Sequence, residues 1–227
     1  MIYFAHRGAN TLRVQNTIPA FALAHAQGSR MFELDVHLLK DGNLAVHHDY
    51  SLLSTCGVDV KLADLTCADL QKYPLNNRFS NDKIYIPLLQ EVLPVITPGL
   101  ALLNVELKND GNCYPGIESV LLKTLFTAYE DRVLFSSFDY ETLVRLRALA
   151  PQARLGWLTR QFDVEKALAL GVESVHINHT RFTPQMAQIC HAHQLKVYCY
   201  TVNEKPLAPR LATEGADGIF TDDVTVF

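Results

Sequence analysis

The chain has 227 residues, 48% of them hydrophobic, which suits one larger domain with a sizeable core. A formal net charge of −4 argues against a broadly basic surface, and with it against a general nucleic-acid or anionic-membrane binder; positive groups for an anionic ligand must be local. No run reaches the ~18 uncharged apolar residues of a membrane span, so no membrane insertion is expected.

The N-terminus lacks the charged and apolar regions of a secretory signal. Five cysteines (Cys56, Cys67, Cys113, Cys190 and Cys199), odd in number and without a CxxC pair, suit reduced thiols in a cytoplasm. Cys113 and Cys190 read as small core fillers.

Apolar, often β-branched runs alternate with helix-period segments. Strand one is predicted over 2–5, a helix over 18–27 and strand two over 31–36. The Asp41-Gly42 turn then leads into an extra strand over 44–48, followed by a loop-rich insert running to about Ile86. Beyond it come a helix at 88–96 and strand three at 102–107, then a helix at 116–129 and strand four at 132–136. A helix at 140–149 precedes strand five at 154–158, and one at 164–170 precedes strand six at 174–178. The chain closes with a helix at 184–193, strand seven at 196–201, a helix at 205–213 and strand eight at 218–221. Thr17, Asp139, Asp163 and Thr183 stand where helix caps belong, and Gly28 and Gly171 where helices stop.

Eight strand–helix alternations in roughly 220 residues predict a parallel sheet closed as a TIM (β/α)8 barrel. The expected organisation is a single domain, 1–227, with a short insert after strand two and a short or missing last helix. A doubly wound open sheet is the alternative, but no GxGxxG follows strand one.

Active sites of such barrels lie at the C-terminal strand ends. Strand one ends in His6 and Arg7. Strand two carries Glu33 and Asp35 on one face, with Phe32, Leu34 and Val36 on the other, and "NVELK" repeats the period with Glu106 and Lys108. The extra strand ends in His47, His48 and Asp49. Converging carboxylates are costly unless they are protonated or hold a cation, and oxygen ligands favour Mg²⁺ or Ca²⁺ over Zn²⁺. Arg7 and Lys108 suit a phosphate held beside that metal, and His6 and His48 supply a proton donor and acceptor. Together they describe a phosphodiesterase. His37 shares the parity of Glu33 and Asp35 and is read as supporting; His47 points the other way; His25, His176, His191 and His193 are read as structural.

The words "AHRGAN", "QNTIPAF", "FELDVHLLKDGNLAVHHD", "ADLTCADL", "IPLLQEVL", "NVELK", "SSFDYETLVRLRALAP", "YTVN" and "GADGIFTDD" run in order over nearly the whole chain. In them the sequence resembles the glycerophosphodiester phosphodiesterases, of compact bacterial type. The resemblance implies a TIM barrel of lipid and glycerol metabolism. It would hydrolyse small glycerophosphodiesters to an alcohol and sn-glycerol 3-phosphate with a divalent cation, Mg²⁺ or Ca²⁺, with Mn²⁺ a further option. It also implies an acid/base pair in His6 and His48, metal ligands in Glu33, Asp35 and Glu106, and a phosphate clamp in Arg7 and Lys108.

Three departures stand out: Gln15 replaces the glutamate of "ENT", Leu39 a threonine before "KDG", and Tyr200 the tryptophan of "WTVN". Gln15 is read as exchanging one supporting hydrogen bond. No serine or cysteine lies among the residues to which the resemblance gives a role, so a covalent enzyme intermediate is not indicated. Water or the substrate's own 2-hydroxyl, through a cyclic phosphate, remain alternative attackers. A lyase leaving a cyclic phosphate and a non-catalytic phosphodiester-binding barrel are the rival functions.

Overall fold

The structure, a computed structural model, describes residues 1–225. Its elements follow the predicted alternation: β1 (Ile2–His6), α1 (Ile18–Ala26), β2 (Met31–Leu38), β3 (Leu44–Val46), α2 (Leu53–Cys56), α3 (Cys67–Leu70), α4 (Leu89–Ile96), β4 (Leu102–Leu107), α5 (Ile117–Tyr129), β5 (Val133–Ser137), α6 (Tyr140–Leu149), β6 (Arg154–Thr159), α7 (Val164–Leu170), β7 (Ser174–Asn178), α8 (Pro184–Ala192), β8 (Lys196–Tyr200), α9 (Leu207–Thr213) and β9 (Gly218–Thr221). Neighbouring parallel strands run β1-β9-β8-β7-β6-β5-β4-β2, and a β1–β2 pairing closes the ring into an eight-stranded TIM barrel. β3 adds antiparallel to β2 through the Asp41-Gly42 turn.

Local signals explain most boundaries. The Asp139, Asp163 and Thr183 side chains accept the backbone N–H groups of Thr142, Lys166 and Met186, satisfying donors that the first helical turn leaves free. Gly171 ends α7 in the left-handed region at φ 66°. Thr17 occupies the cap position of α1 but does not cap it, because its hydroxyl donates to the Val14 carbonyl at 2.5 Å.

Three expectations are corrected. The extra strand stops at Val46, so His47, His48 and Asp49 project from the loop beyond it. The insert is more ordered than a loop: α2, α3 and a 3₁₀ turn at Leu62–Asp64 pack Leu52, Leu62, Leu70 and Ile86 into a small core of their own. Cys113 is exposed and fills no core, because the turn after β4 carries it to the surface, whereas Cys190 is buried. Residues 222–225 form no helix after β9; the rest of that expectation falls on 226–227, outside the described residues.

The main core lies between the outer faces of the strands and the helices, with Phe32, Leu34 and Val36 of β2 in it as the period-two pattern requires. Phe4, Leu102, Leu134, Tyr198 and Phe220 pack together as a separate apolar cluster from the barrel strands. Packed side chains thus close the lumen below and leave the strand C-termini to form a cavity.

Candidate active site

Strand register brings the acidic residues together. His6 of β1 lies opposite Glu33 of β2, and Asp35 of β2 opposite Glu106 of β4. One oxygen from each of Glu33, Asp35 and Glu106 lies within 4.8 Å of the others, and all three residues are buried. Burial and the neighbouring Asp35 push the Glu33 carboxyl well above the ordinary carboxylate range and Glu106 up to about 7. Burial would raise Asp35 as well, but Arg7, Lys108 and His48 hold it low, helped by the Asn16 amide, which donates to Asp35 Oδ2 at 2.8 Å. Glu33 Oε1 and Asp35 Oδ1 are buried without a hydrogen-bond partner. Clustered hard oxygens, two of them unsatisfied, with mutual repulsion raising two of the carboxyls, fit a divalent cation.

The two cations stand around this cluster. Arg7 Nε lies 3.0 Å from Asp35 Oδ2, and Lys108 Nζ donates to Glu106 Oε1 at 2.8 Å while lying 3.6 Å from Asp35 Oδ1. Burial opposes their charge, but the carboxylates outweigh it and raise both above their ordinary values. Arg7 is held in the left-handed region at φ 59°, its N–H donating to the Glu33 carbonyl at 3.0 Å. Such a conformation is costly for a residue with a side chain, and it is kept here where it aims the guanidinium into the mouth. Gly8 follows at φ 83°, and its missing Cβ has a packing reason: one built there would lie 2.6 Å from the Ala20 carbonyl carbon of α1.

Each imidazole is gripped at one nitrogen by a carboxylate. His6 Nδ1 lies 2.6 Å from Asp222 Oδ1, and His48 Nδ1 lies 2.6 Å from Asp49 Oδ1. With Nδ1–H donated, Nε2 is the free nitrogen of each ring, that of His6 lying 3.8 Å from Glu33 Oε2. Burial, with Arg7 adding to it, brings both histidines below their ordinary value despite these carboxylates. Asp222 is itself tied by the Asn10 and Asn203 amides at 2.6 and 2.7 Å.

His6, Arg7, Glu33, His48, Glu106 and Lys108 line one cavity of about 430 Å³, with Asp35 buried beneath. All seven site residues expected from the sequence therefore meet in one place. Asp222 and Asn16 had escaped sequence reasoning. The signal for Asp222 was present in "GIFTDD", an acid at the tip of the last strand, which barrel closure sets beside the first.

The other histidines divide. His37 lies 2.9 Å from the Tyr114 hydroxyl through Nδ1 and 3.3 Å from the His48 carbonyl through Nε2, and burial pushes it down to about 3, so it braces the His48 loop as a neutral ring. His47 is buried 3.3 Å from the Thr55 hydroxyl and faces an adjoining cavity. His25 binds the Pro98 carbonyl and His191 pairs with Asp217, both away from the site.

The departures also find their places. Gln15 Oε1 accepts from Arg7 Nη1 at 2.8 Å, Leu39 is buried in the insert's core, and Tyr200 forms part of the cavity wall edge-on to Phe138 at 5.9 Å.

A carboxylate triad, two cations and two carboxylate-held imidazoles at the mouth of a TIM barrel define an enzyme of phosphate-ester hydrolysis. Comparison with known proteins agrees and is more specific. The chain belongs to the glycerophosphoryl diester phosphodiesterase family, whose model matches residues 6–226. It is similar to a glycerophosphodiester phosphodiesterase of Caldanaerobacter subterraneus subsp. tengcongensis, 33% identical over 98% of this chain and 94% of that one. It is likewise similar to a glycerophosphodiester phosphodiesterase of Bacillus altitudinis, 35% identical over 96% of this chain and 93% of that one. Among solved structures, an Oleispira antarctica phosphodiesterase in complex with the product sn-glycerol-3-phosphate superposes with a TM-score of 0.91 at 28% identity, covering 100% of this chain and 95% of that one. The protein is a phosphoric diester hydrolase of this family.

Proposed function

We propose that residues 1–227 act as one catalytic unit. It hydrolyses glycerophosphodiesters to an alcohol and sn-glycerol 3-phosphate, with a divalent cation held by Glu33, Asp35 and Glu106. The convergence of that triad with Arg7, Lys108 and two carboxylate-held imidazoles in one cavity of about 430 Å³ carries the reading. The sn-glycerol-3-phosphate bound by the Oleispira relative supports the product. The all-oxygen donor set suits Mg²⁺, Ca²⁺ or Mn²⁺. When bound, the cation supplies Lewis-acid neutralisation of phosphoryl charge.

The chain's own residues supply the rest. Arg7 and Lys108 cradle the non-bridging oxygens and stabilise charge that grows at phosphorus. One imidazole takes the proton of the attacking hydroxyl at Nε2, and the other gives a proton to the departing alkoxide. Asp222 and Asp49 hold the ring orientation and tautomer that each transfer needs. Phe138, Leu158 and Phe220 on the cavity wall exclude water around the reacting centre. Five free cysteines support a reducing compartment such as the cytoplasm, and no helix among the described residues is long and apolar enough to cross a membrane.

Phosphorus NMR of glycerophosphocholine with and without EDTA tests the reading. The diester resonance is expected to be replaced by that of glycerol 3-phosphate only in the metal-loaded sample. Persistence of the diester under all metals defeats the proposal, and accumulation of a five-membered cyclic phosphate replaces hydrolysis by the lyase outcome.

A further inference from the structure

A second cavity, of about 570 Å³, adjoins the first, and His6, Arg7 and Thr201 line both. Its far wall comes from the loop after β1 and from the insert, which contribute Arg13, Asn76 and Arg78. Among the described residues, neither Arg13 nor Arg78 forms an ion pair with a carboxylate. Arg13 Nη1 donates to the neighbouring Leu12 carbonyl at 2.7 Å, and Arg78 lies over the Phe79 ring at 4.8 Å from its centroid. Among the described residues, the one acidic side chain lining this cavity is Asp222, which already binds His6, Asn10 and Asn203. Gln15, also on the wall, reaches Arg7 as a neutral amide and adds no negative charge. The cavity is therefore a positively charged recess whose inner edge is Arg7, one of the two cations of the phosphate clamp.

We infer that this recess is the subsite for the leaving alcohol and selects alcohols that carry a negative charge of their own, such as a second phosphodiester. The inference rests on the function proposed above. The two substituents of a phosphodiester leave phosphorus in different directions, so a substrate clamped at Arg7 extends one of them past His6 and Arg7. The glycerophosphate, common to every substrate, fits the smaller cavity within the barrel mouth, and the variable alcohol meets the larger one walled by the insert. Two guanidiniums without a carboxylate partner among the described residues attract an anionic alcohol there, while a quaternary ammonium meets like charge. Their position at the surface makes the effect dependent on salt.

The test measures kcat/KM of the metal-loaded enzyme for glycerophosphocholine, glycerophosphoglycerol and bis(glycerophospho)glycerol, whose leaving alcohols are cationic, uncharged and anionic respectively, the last corrected for its two equivalent bonds. At low ionic strength bis(glycerophospho)glycerol should exceed the choline diester about tenfold or more, and ~0.5 M salt should shrink the ratio towards one as screening shortens to a few ångströms. Arg13→Gln and Arg78→Gln should each lower the ratio of bis(glycerophospho)glycerol to glycerophosphoglycerol, and the double variant should bring it near one. Because the ratio is read within one protein, a general loss of activity does not imitate the result. Equal turnover of all three diesters by the natural enzyme, or a ratio that survives the double substitution, overturns the subsite alone. Failure to hydrolyse any of them overturns the proposed function and the subsite with it.

Discussion

His6 Nδ1 stands 2.6 Å from Asp222 Oδ1 across the seam where β9 pairs with β1, although 216 residues separate the two in the chain. Closure of the barrel thus creates the hydrogen bond that orients the imidazole proposed above for acid/base catalysis. Asp222→Asn keeps the size but removes the charge and replaces one of the two acceptor oxygens by an amide donor. We expect kcat to fall about 10–100-fold, the usual cost of losing a group that orients a functional imidazole, with KM little changed. Steady-state kinetics on glycerophosphocholine decide it, and an unaltered kcat assigns the pair to structure.

The two imidazoles should carry the proton transfers. His6→Ala and His48→Ala are each expected to lower kcat about a hundredfold or more. Arg7→Ala should raise KM as well, since a phosphate partner acts in ground and transition states alike. His25→Ala, whose ring binds the Pro98 carbonyl away from the cavity, serves as the control and should change neither constant. A His6→Ala enzyme with full kcat would mean that the strand tip is only scaffolding.

Chelation should abolish turnover, and Mg²⁺, Ca²⁺ or Mn²⁺ should restore it. The pH dependence has a definite sign. Burial and Asp35 raise Glu106 to about 7 and Glu33 well above its ordinary value, so near pH 6 the metal-free triad retains protons that a cation must displace. Metal affinity should therefore rise with pH through about 7, and calorimetry at pH 6 should show proton release as a buffer-dependent heat. Asp35→Asn should remove most of the affinity. Binding that is independent of pH between 5 and 8 contradicts the ligand set.

Gly8 should not tolerate a side chain. At φ 83°, with a would-be Cβ 2.6 Å from the Ala20 carbonyl carbon, Gly8→Ala combines an unfavourable backbone conformation with a clash against helix backbone. A loss of about 2 kcal/mol or more is expected, lowering the melting temperature by several degrees in a calorimetric scan. A melting temperature equal to the natural protein's shows that α1 gives way freely.

His176, remote from the mouth, should shape acid stability. It is buried beside Tyr198 and Phe220, lies 2.9 Å from the Ser174 hydroxyl, and is pushed down to about 3 by burial. Above pH 6.5 neither the folded nor the unfolded chain protonates it, so it adds no pH dependence there. Between 6.5 and about 3 the unfolded chain alone takes up the proton, and stability falls as pH falls, by up to ~1.4 kcal/mol per pH unit. His176→Gln should lessen that acid slope in urea titrations at pH 4 to 6. An identical slope excludes the assignment.

Much of this protein was legible in its amino-acid order, because the informative patterns are local. Period-two alternation put Glu33 and Asp35 on one face of β2 and Phe32, Leu34 and Val36 on the other, whatever the surroundings. Capping is equally local, so Asp139, Asp163 and Thr183 marked helix starts, and the bounds of β4, β7 and β9 matched the apolar runs. Thr17 misled because the Val14 carbonyl competes for its hydroxyl, and Cys113 because hydrophobicity does not say where a turn lifts a side chain. What only the tertiary structure decided is everything that depends on pairing between distant segments: Asp222 beside His6, Asn16 on Asp35, the insert's own core, and the recess between Arg13 and Arg78. Alternation along a strand sets which way a side chain faces, but its neighbour across the barrel is set by register and closure. Those arise from packing the whole ring of strands and helices at once.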